Sequence, residues 1–303
     1  MKALIYDPAA PTNLRLAEVP EPVAGPSQAL VEVHATSMNL GEVAYISGNL
    51  QPGDIPGWDC GGIVRKAAAD GSGPPVGTRV VGFGWGQGWA QLRALDTAEL
   101  AIVPAAVDLG EASALPVAAV TALQAVRALG SVVGRRVLVT GASGGVGRFA
   151  VQLATHAGAY VIAAVGSPAR GDGLGALGAA EIVTELAGLG PVFGVLDNVG
   201  GPLLAEAFSL VEPGGSAQSI GKASGQSTTV DFEAERLRGG NRSLVPFVIR
   251  TPIGADLGQL VGLVEREQLD PQVGWRGPWT TASEAADALL SRRVLGKAVL
   301  DIT

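Results

Sequence analysis

Val137-Leu138-Val139-Thr140-Gly141-Ala142-Ser143-Gly144-Gly145-Val146-Gly147 joins a β-branched apolar run to a turn dense in glycine. The run reads as a buried strand. Beyond the turn, Phe149, Ala150, Val151, Leu153 and Ala154 recur at helical spacing. Strand, glycine turn and helix in that order form a phosphate-binding βα unit. Its glycines let the backbone approach a pyrophosphate, and the N–H groups of the helix start face the charge. The spacing fits Gly141-x-x-Gly144-x-x-Gly147 or Ala142-x-Gly144-x-x-Gly147, so Ser143, Gly144, Gly145, Val146 and Gly147 are candidate cofactor-binding residues. The alternative is a purely structural strand-to-helix turn.

Working outward, the 303 residues are enough for two domains. Apolar residues make up 47% and charged residues 16%, which supplies ample core material. A formal charge of −7, with no Lys or Arg run, argues against a nucleic-acid partner. Phosphate affinity must therefore be local. No stretch reads as a membrane span, and Met1–Asp7 does not resemble a signal peptide. A soluble cytoplasmic protein is the expectation.

One cysteine, Cys60, and two histidines, His34 and His156, leave few ways to hold a metal. An intrachain disulfide and a four-cysteine zinc site are impossible. A catalytic zinc requires His34, Cys60 and a carboxylate to converge, without the closely spaced ligand pairs usual for zinc. No metal is expected. Cys60, in an apolar Gly-rich strand, reads as a small buried thiol rather than a nucleophile.

The texture changes along the chain. Residues 1–108 carry short alternating runs at Lys2–Tyr6, Ala29–Ala35, Gly62–Arg65, Val80–Gly82 and Trp89–Arg93, a β-rich domain with Asp70–Pro75 as a surface loop. Leu115–Leu129 has helical period. Strands at 137–140, 160–165, 181–183, 192–197 and 216–220 then alternate with helices at 146–157 and 203–210. Gly175–Ala180 reads as the end of a further short helix. This alternation predicts an α/β fold with a doubly wound parallel sheet. Helices at 255–267 and 283–290 and a strand at 298–302 complete the chain.

The strand after the glycine turn selects the cofactor. NAD-binding units usually end it with an acid, about 20 residues past the glycines, that accepts from the ribose 2′-OH. Here Val161–Val165 runs into Gly166-Ser167-Pro168-Ala169-Arg170, and no carboxylate is present. Ser167 and Arg170 suit a 2′-phosphate, by hydroxyl and by charge-assisted contact. NADPH is therefore favoured over NADH, against the alternative that Arg170 is a solvated surface residue.

Six motifs in sequence order, covering nearly the whole chain, resemble the zinc-independent quinone oxidoreductases of the medium-chain dehydrogenase/reductase superfamily. Ala35–Glu42 is similar to a segment ending in Asn-x-x-Asp, with Glu42 in place of the usual Asp. Pro56–Val64 looks like the Gly-x-Asp-x-Ala-Gly strand, where Trp58 stands at the position of a zinc-binding His in zinc-dependent relatives. Val76–Val80, Ala114–Ala122, Asp197–Gly201 and Leu295–Leu300 are the other four.

The resemblance implies a GroES-like domain at 1–112, completed by 248–303, and a Rossmann NADP(H)-binding domain at 113–247. It implies a cofactor in the cleft, with the nicotinamide facing the β domain. Asn39, Thr121, Asn198 and Val199 correspond to positions lining the nicotinamide pocket, and Phe247 to an aromatic closing the substrate side. Many such relatives are homodimers, which the sequence does not itself show. The implied activity is metal-free hydride transfer from NADPH to a quinone or α,β-unsaturated carbonyl, with orientation in a dry site supplying most of the rate.

The developing oxyanion needs a donor. Tyr45 is the first candidate beside Asn39, although relatives often place their Tyr one residue closer and Ala44 occupies that spot. Tyr45 as a packing aromatic is the equal alternative. Asp59 reads as a strand-end acceptor of backbone amides, with acceptance or relay of a proton as the alternative, His34 as a hydrogen-bonded structural residue near the cleft, and His156 as surface. Lys297 either touches phosphate or begins the last strand. Trp85 and Trp89 either line an aromatic pocket or pack the β domain. Two further functions remain: a pathway-specific enoyl reductase, and a nucleotide-binding sensor or structural protein without turnover.

Overall fold

The computed structural model describes residues 1–302. In chain order the elements are β1 (Lys2–Tyr6), β2 (Leu14–Glu18), β3 (Gln28–Met38), α1 (Leu40–Ala44), α2 (Ile46–Asn49), β4 (Asp59–Lys66), β5 (Arg79–Phe83), β6 (Leu92–Asp96), β7 (Leu100–Ile102) and α3 (Leu109–Ser113). There follow α4 (Ala118–Ala128), β8 (Arg136–Thr140), α5 (Gly145–His156), β9 (Tyr160–Ala164), β10 (Ala179–Val183), β11 (Val192–Asp197), α6 (Gly201–Ser209), β12 (Val211–Ser219), α7 (Phe232–Leu237) and β13 (Ser243–Pro246). The chain closes with α8 (Gly254–Glu265), β14 (Val273–Pro278), α9 (Ala282–Leu290) and β15 (Lys297–Asp301). It divides into two compact units, Met1–Val120 with Arg250–Thr303, and Thr121–Ile249.

The first unit is built on a seven-stranded sheet in the order β14-β15-β3-β4-β5-β7, with β6 also paired to β3. β14 and β15 run parallel, while the other neighbours are antiparallel. Alternation along β3 buries Ala29, Val31 and Val33 and leaves Glu32 and His34 exposed, as a half-buried strand requires. The last strand of the chain seats itself between β14 and β3, pairing Ala298 with Met38 and Val299 with Ser37. That register places Lys297 at the level of Asn39, although 258 positions separate them in sequence.

The second unit is a six-stranded, wholly parallel sheet in the order β10-β9-β8-β11-β12-β13. Its central strands are apolar through their middles, where Val137, Leu138, Val139, Ile162, Val195 and Leu196 are completely buried. The strand order reverses between β8 and β9 on one side and β8 and β11 on the other. The carboxyl ends of β8 and β11 thus form the switch point at which such sheets bind ligands. A β-rich unit and a doubly wound parallel sheet are both present, as the patterning predicts, and they are the GroES-like and Rossmann architecture that the resemblance implies.

Two local expectations are corrected. Gly175–Ala180 is not a helix: residues 175–178 are turns and β10 begins at Ala179; Gly178 has φ +103°, which a helix does not accept. The strand expected at Trp89–Arg93 lies at Leu92–Asp96, because pairing with β3 sets its limits and leaves Ala90 in a single bridge to Ala3. β13 and β14 are further strands that the sequence reading does not anticipate. No helix among the described residues is long and apolar enough to cross a membrane.

Candidate functional site

In the second unit, β8 ends at Thr140 and the chain turns at Gly141, whose φ of +58° suits glycine. Gly144 caps α5, and the first turn of α5 carries N–H groups without intrahelical partners. Gly147 has a packing role: a Cβ there would lie 2.3 Å from the Gly141 carbonyl oxygen and 2.7 Å from Ala142 Cα. Only a hydrogen at that position lets the helix sit down on the turn. Gly144, Gly145 and Val146 are half-buried along the rim, and Ser143 is buried within it.

The segment after β9 returns to this turn. Ala142 N donates to Ala164 O at 3.1 Å, and Arg170 Nε donates to Ser143 Oγ at 2.9 Å. Arg170 lies on a short 3₁₀ turn, Pro168–Gly171, with Ser167 half-buried at its N-terminal end. A cation thus borders the glycine turn.

The ends of β8 and β11 are tied together. Thr140 Oγ1 donates to Asp197 Oδ1 at 2.5 Å, and Asn198 N donates back to Thr140 Oγ1 at 3.1 Å. Asn198 Nδ2 donates to Thr140 O at 2.9 Å, and Gly200 N donates to Asp197 Oδ2 at 2.8 Å. Asp197 is fully buried, and that burial raises its carboxyl above the usual range despite the bonds it accepts. Asn198 and Val199 are thereby held half-buried at the switch point. Phe247, just past β13, donates its N–H to Ser219 O and is half-buried. Thr121 is buried on α4.

The first unit gathers a polar cluster of its own. Asp59 begins β4 and is completely buried, and its Oδ2 accepts from Ser37 Oγ (2.6 Å), Asn39 Nδ2 (2.9 Å) and Lys297 Nζ (3.3 Å). Its Oδ1 accepts from Val117 N at 3.0 Å. Lys297, 2% exposed, also donates to Asn39 Oδ1 at 2.6 Å and Met38 O at 3.3 Å. Asn39 precedes α1, and Glu42 reaches back to it: Oε2 accepts from Asn39 N and Asn39 Nδ2, both at 2.8 Å. Glu42 Oε1 accepts from Trp58 N at 2.7 Å. Burial first, and then the Asp59 charge, push the Glu42 carboxyl up to about 7, against the pull of Asn39 and Lys297.

These contacts show where the sequence-predicted residues fall. Asn39 and Lys297 meet directly, and Lys297 both begins the last strand and anchors this cluster. Asp59 accepts a backbone amide, as read from sequence, but also an ammonium, a hydroxyl and an amide side chain. Tyr45 ends α1 and is 46% exposed. His34 is exposed near Glu32 rather than held as a structural residue, since strand alternation turns it outward. His156 is exposed, and Cys60 is buried, which pushes its thiol up. Trp89 is wholly buried packing, while Trp85 is 63% exposed and set edge-on against Trp58 and Phe83. Among the described residues, no three His, Cys, Asp or Glu side chains converge so as to hold a metal. The convergence of Glu42, Asp59 and Lys297 on Asn39 was not read from sequence; its signal was three charged residues set inside apolar strand and helix starts.

The fold agrees with known proteins. The alcohol dehydrogenase GroES-like domain matches residues 25–108, and the zinc-binding dehydrogenase family matches residues 177–300. The chain belongs to the medium-chain dehydrogenase/reductase superfamily. That superfamily has quinone-oxidoreductase-like members. The quinone oxidoreductase of Coxiella burnetii superposes with a TM-score of 0.85 and 25% identity, over 100% of this chain and 99% of that one. Acrylyl-CoA reductase AcuI of Ruegeria pomeroyi is 34% identical, with 62% of this chain and 62% of that protein aligned. The spectinabilin polyketide synthase system protein NorB of Streptomyces orinoci is 31% identical over 95% of this chain, which spans only 14% of that protein's length.

Proposed function

We propose that the chain is an NADPH-dependent, metal-independent reductase of quinones or α,β-unsaturated carbonyl compounds, acting on a small molecule in the cytoplasm. The observation that carries the cofactor choice is the Arg170–Ser143 contact, which holds a cation at the rim of the glycine turn in the absence of any carboxylate there. The Gly141–Gly147 turn and the start of α5 hold the pyrophosphate, while Arg170 and Ser167 hold the 2′-phosphate. Thr121, Asn198, Val199 and Phe247 serve the nicotinamide end.

When bound, the reduced cofactor supplies hydride from its nicotinamide C4. The chain's own residues orient the reactants and stabilise the charge that develops on the acceptor oxygen. Asn39 is held rigid by the Glu42–Asp59–Lys297 cluster. Tyr45, exposed at the end of α1, donates its phenolic proton to the oxygen anion. The donor set does not fit a catalytic zinc, since His34 is exposed and Cys60 buried, so no step runs through a metal.

The test is loss of NADPH or NADH absorbance with a simple quinone, using chelator-treated protein. Oxidation with NADPH preferred supports the reading. A preference for NADH overturns the roles of Arg170 and Ser167, and loss of activity with chelation overturns metal independence. Similarity to AcuI and to the polyketide synthase protein favours a second reading, an enoyl reductase with a shaped pocket. Turnover of an enoyl thioester but of no quinone identifies that case. Tight NADPH binding without turnover on either identifies a non-catalytic binding protein.

A further inference from the structure

We propose that Lys297 is a positioning residue of this site, acting through Asn39, and that its ammonium fixes which way the Asn39 amide faces; this rests on the reading of Asn39 as part of the reductase site. An asparagine amide is nearly symmetric in shape, so neighbours decide whether its oxygen or its nitrogen points a given way. Here the neighbours allow one answer. Lys297 only donates, and it meets Asn39 Oδ1 at 2.6 Å. The Glu42 and Asp59 carboxylates accept, and they take the two Nδ2 protons at 2.8 and 2.9 Å. An amide turned by 180° would set its NH₂ against an ammonium and its oxygen against two carboxylates.

The placement of Lys297 follows from tertiary structure alone. β15 pairs antiparallel with β3, Ala298 lies opposite Met38, and Gly296 turns into the strand with φ +87°. The side chain is 2% exposed, and its three donors go to Met38 O, Asn39 Oδ1 and Asp59 Oδ2. Desolvating an ammonium this completely is costly unless it is paired, and the pairing found here is the one that orients Asn39. The same amide takes part in the capping box at the start of α1. Glu42 therefore caps the helix through the Asn39 backbone N–H, and the helix start, the amide and the ammonium form one unit.

The test uses the full chain with Lys297→Met, Asn39→Ala and the double variant, measured with NADPH and whichever acceptor the wild type turns over. Lys297→Met is expected to lower kcat about tenfold, with acceptor KM and NADPH affinity within about threefold of wild type. The double variant is expected to fall no further than Asn39→Ala alone, because residues acting through one another are not additive. Additive losses in kcat overturn the proposal, as does a change confined to thermal stability. Should Lys297→Met fail to fold, Lys297→Met with Asp59→Asn removes both charges together and is expected to show the same loss of kcat.

A second readout does not depend on turnover. The chain has five asparagines, so selective ¹⁵N-asparagine labelling resolves the Asn39 side-chain NH₂. In the wild type its protons are expected to exchange slowly, and in Lys297→Met at least about tenfold faster. Unchanged exchange overturns the proposal even where the enzyme is active. Accelerated exchange in a protein that turns over no acceptor supports the positioning role and counts against the reductase reading.

Discussion

Arg170 Nε and Ser143 Oγ lie 2.9 Å apart, so the segment following β9 is fastened to the glycine turn that follows β8. In a unit whose β9 ends without a carboxylate, that contact is the basis for proposing the loop arginine as part of the nucleotide site.

Replacing Arg170 with alanine is therefore expected to raise the KM for NADPH about tenfold or more while leaving that for NADH nearly unchanged. A charge-assisted contact to the 2′-phosphate is the interaction lost, and NADH lacks that group. Steady-state kinetics with both cofactors check this; an equal rise for both contradicts it.

Gly147→Ala is expected to lower stability by about 1–3 kcal/mol, the usual cost of forcing a methyl into filled space. The added Cβ meets backbone at 2.3 Å rather than a side chain able to move aside. NADPH affinity is expected to fall as well, since α5 must lift from the turn. Denaturant melts and fluorescence titration read the two effects separately.

Asp197→Ala is expected to destabilise the second unit more than Asp197→Asn. Alanine leaves the Thr140 hydroxyl and the Gly200 N–H without their buried acceptor, each about 1–3 kcal/mol. Asparagine retains one acceptor oxygen. Urea melts of the two variants check the order.

Glu42 gives a pH dependence of definite sign. Its carboxyl moves from 4.5 in the unfolded chain to about 7 in the fold, so the folded state holds the proton more tightly. The contribution to stability is complete below pH 4.5 and is lost as pH rises toward 7, by no more than about 3 kcal/mol. Glu42→Gln stays neutral throughout, and its stability is expected to fall less steeply across that window. Melts at pH 5, 6 and 7 decide; parallel curves for the two proteins contradict it.

The second unit was the more legible of the two because its signals are local. A buried parallel strand needs a continuous apolar run, a phosphate turn needs glycine, and the helix after it needs an apolar face. All three lie within Val137–Ala154. Where local signals fail, the reading fails: Gly175–Ala180 has helix-forming Ala176, Leu177, Ala179 and Ala180, yet the φ of Gly178 and its packing against α5 make turns that run into β10. His34 shows the same limit, since one residue of strand register separates an exposed histidine from a buried one.

The order of charged and polar residues by itself determined the glycine turn, the missing acid after β9, and the individual candidacies of Asn39, Asp59 and Lys297. Only tertiary structure made the last three one object. β15 reaches β3 across 258 positions, and the antiparallel register alone puts an ammonium against the Asn39 amide. Strand patterning records which face of a strand is buried, but not which strand lies beside it, because pairing is fixed by the packing of the whole sheet.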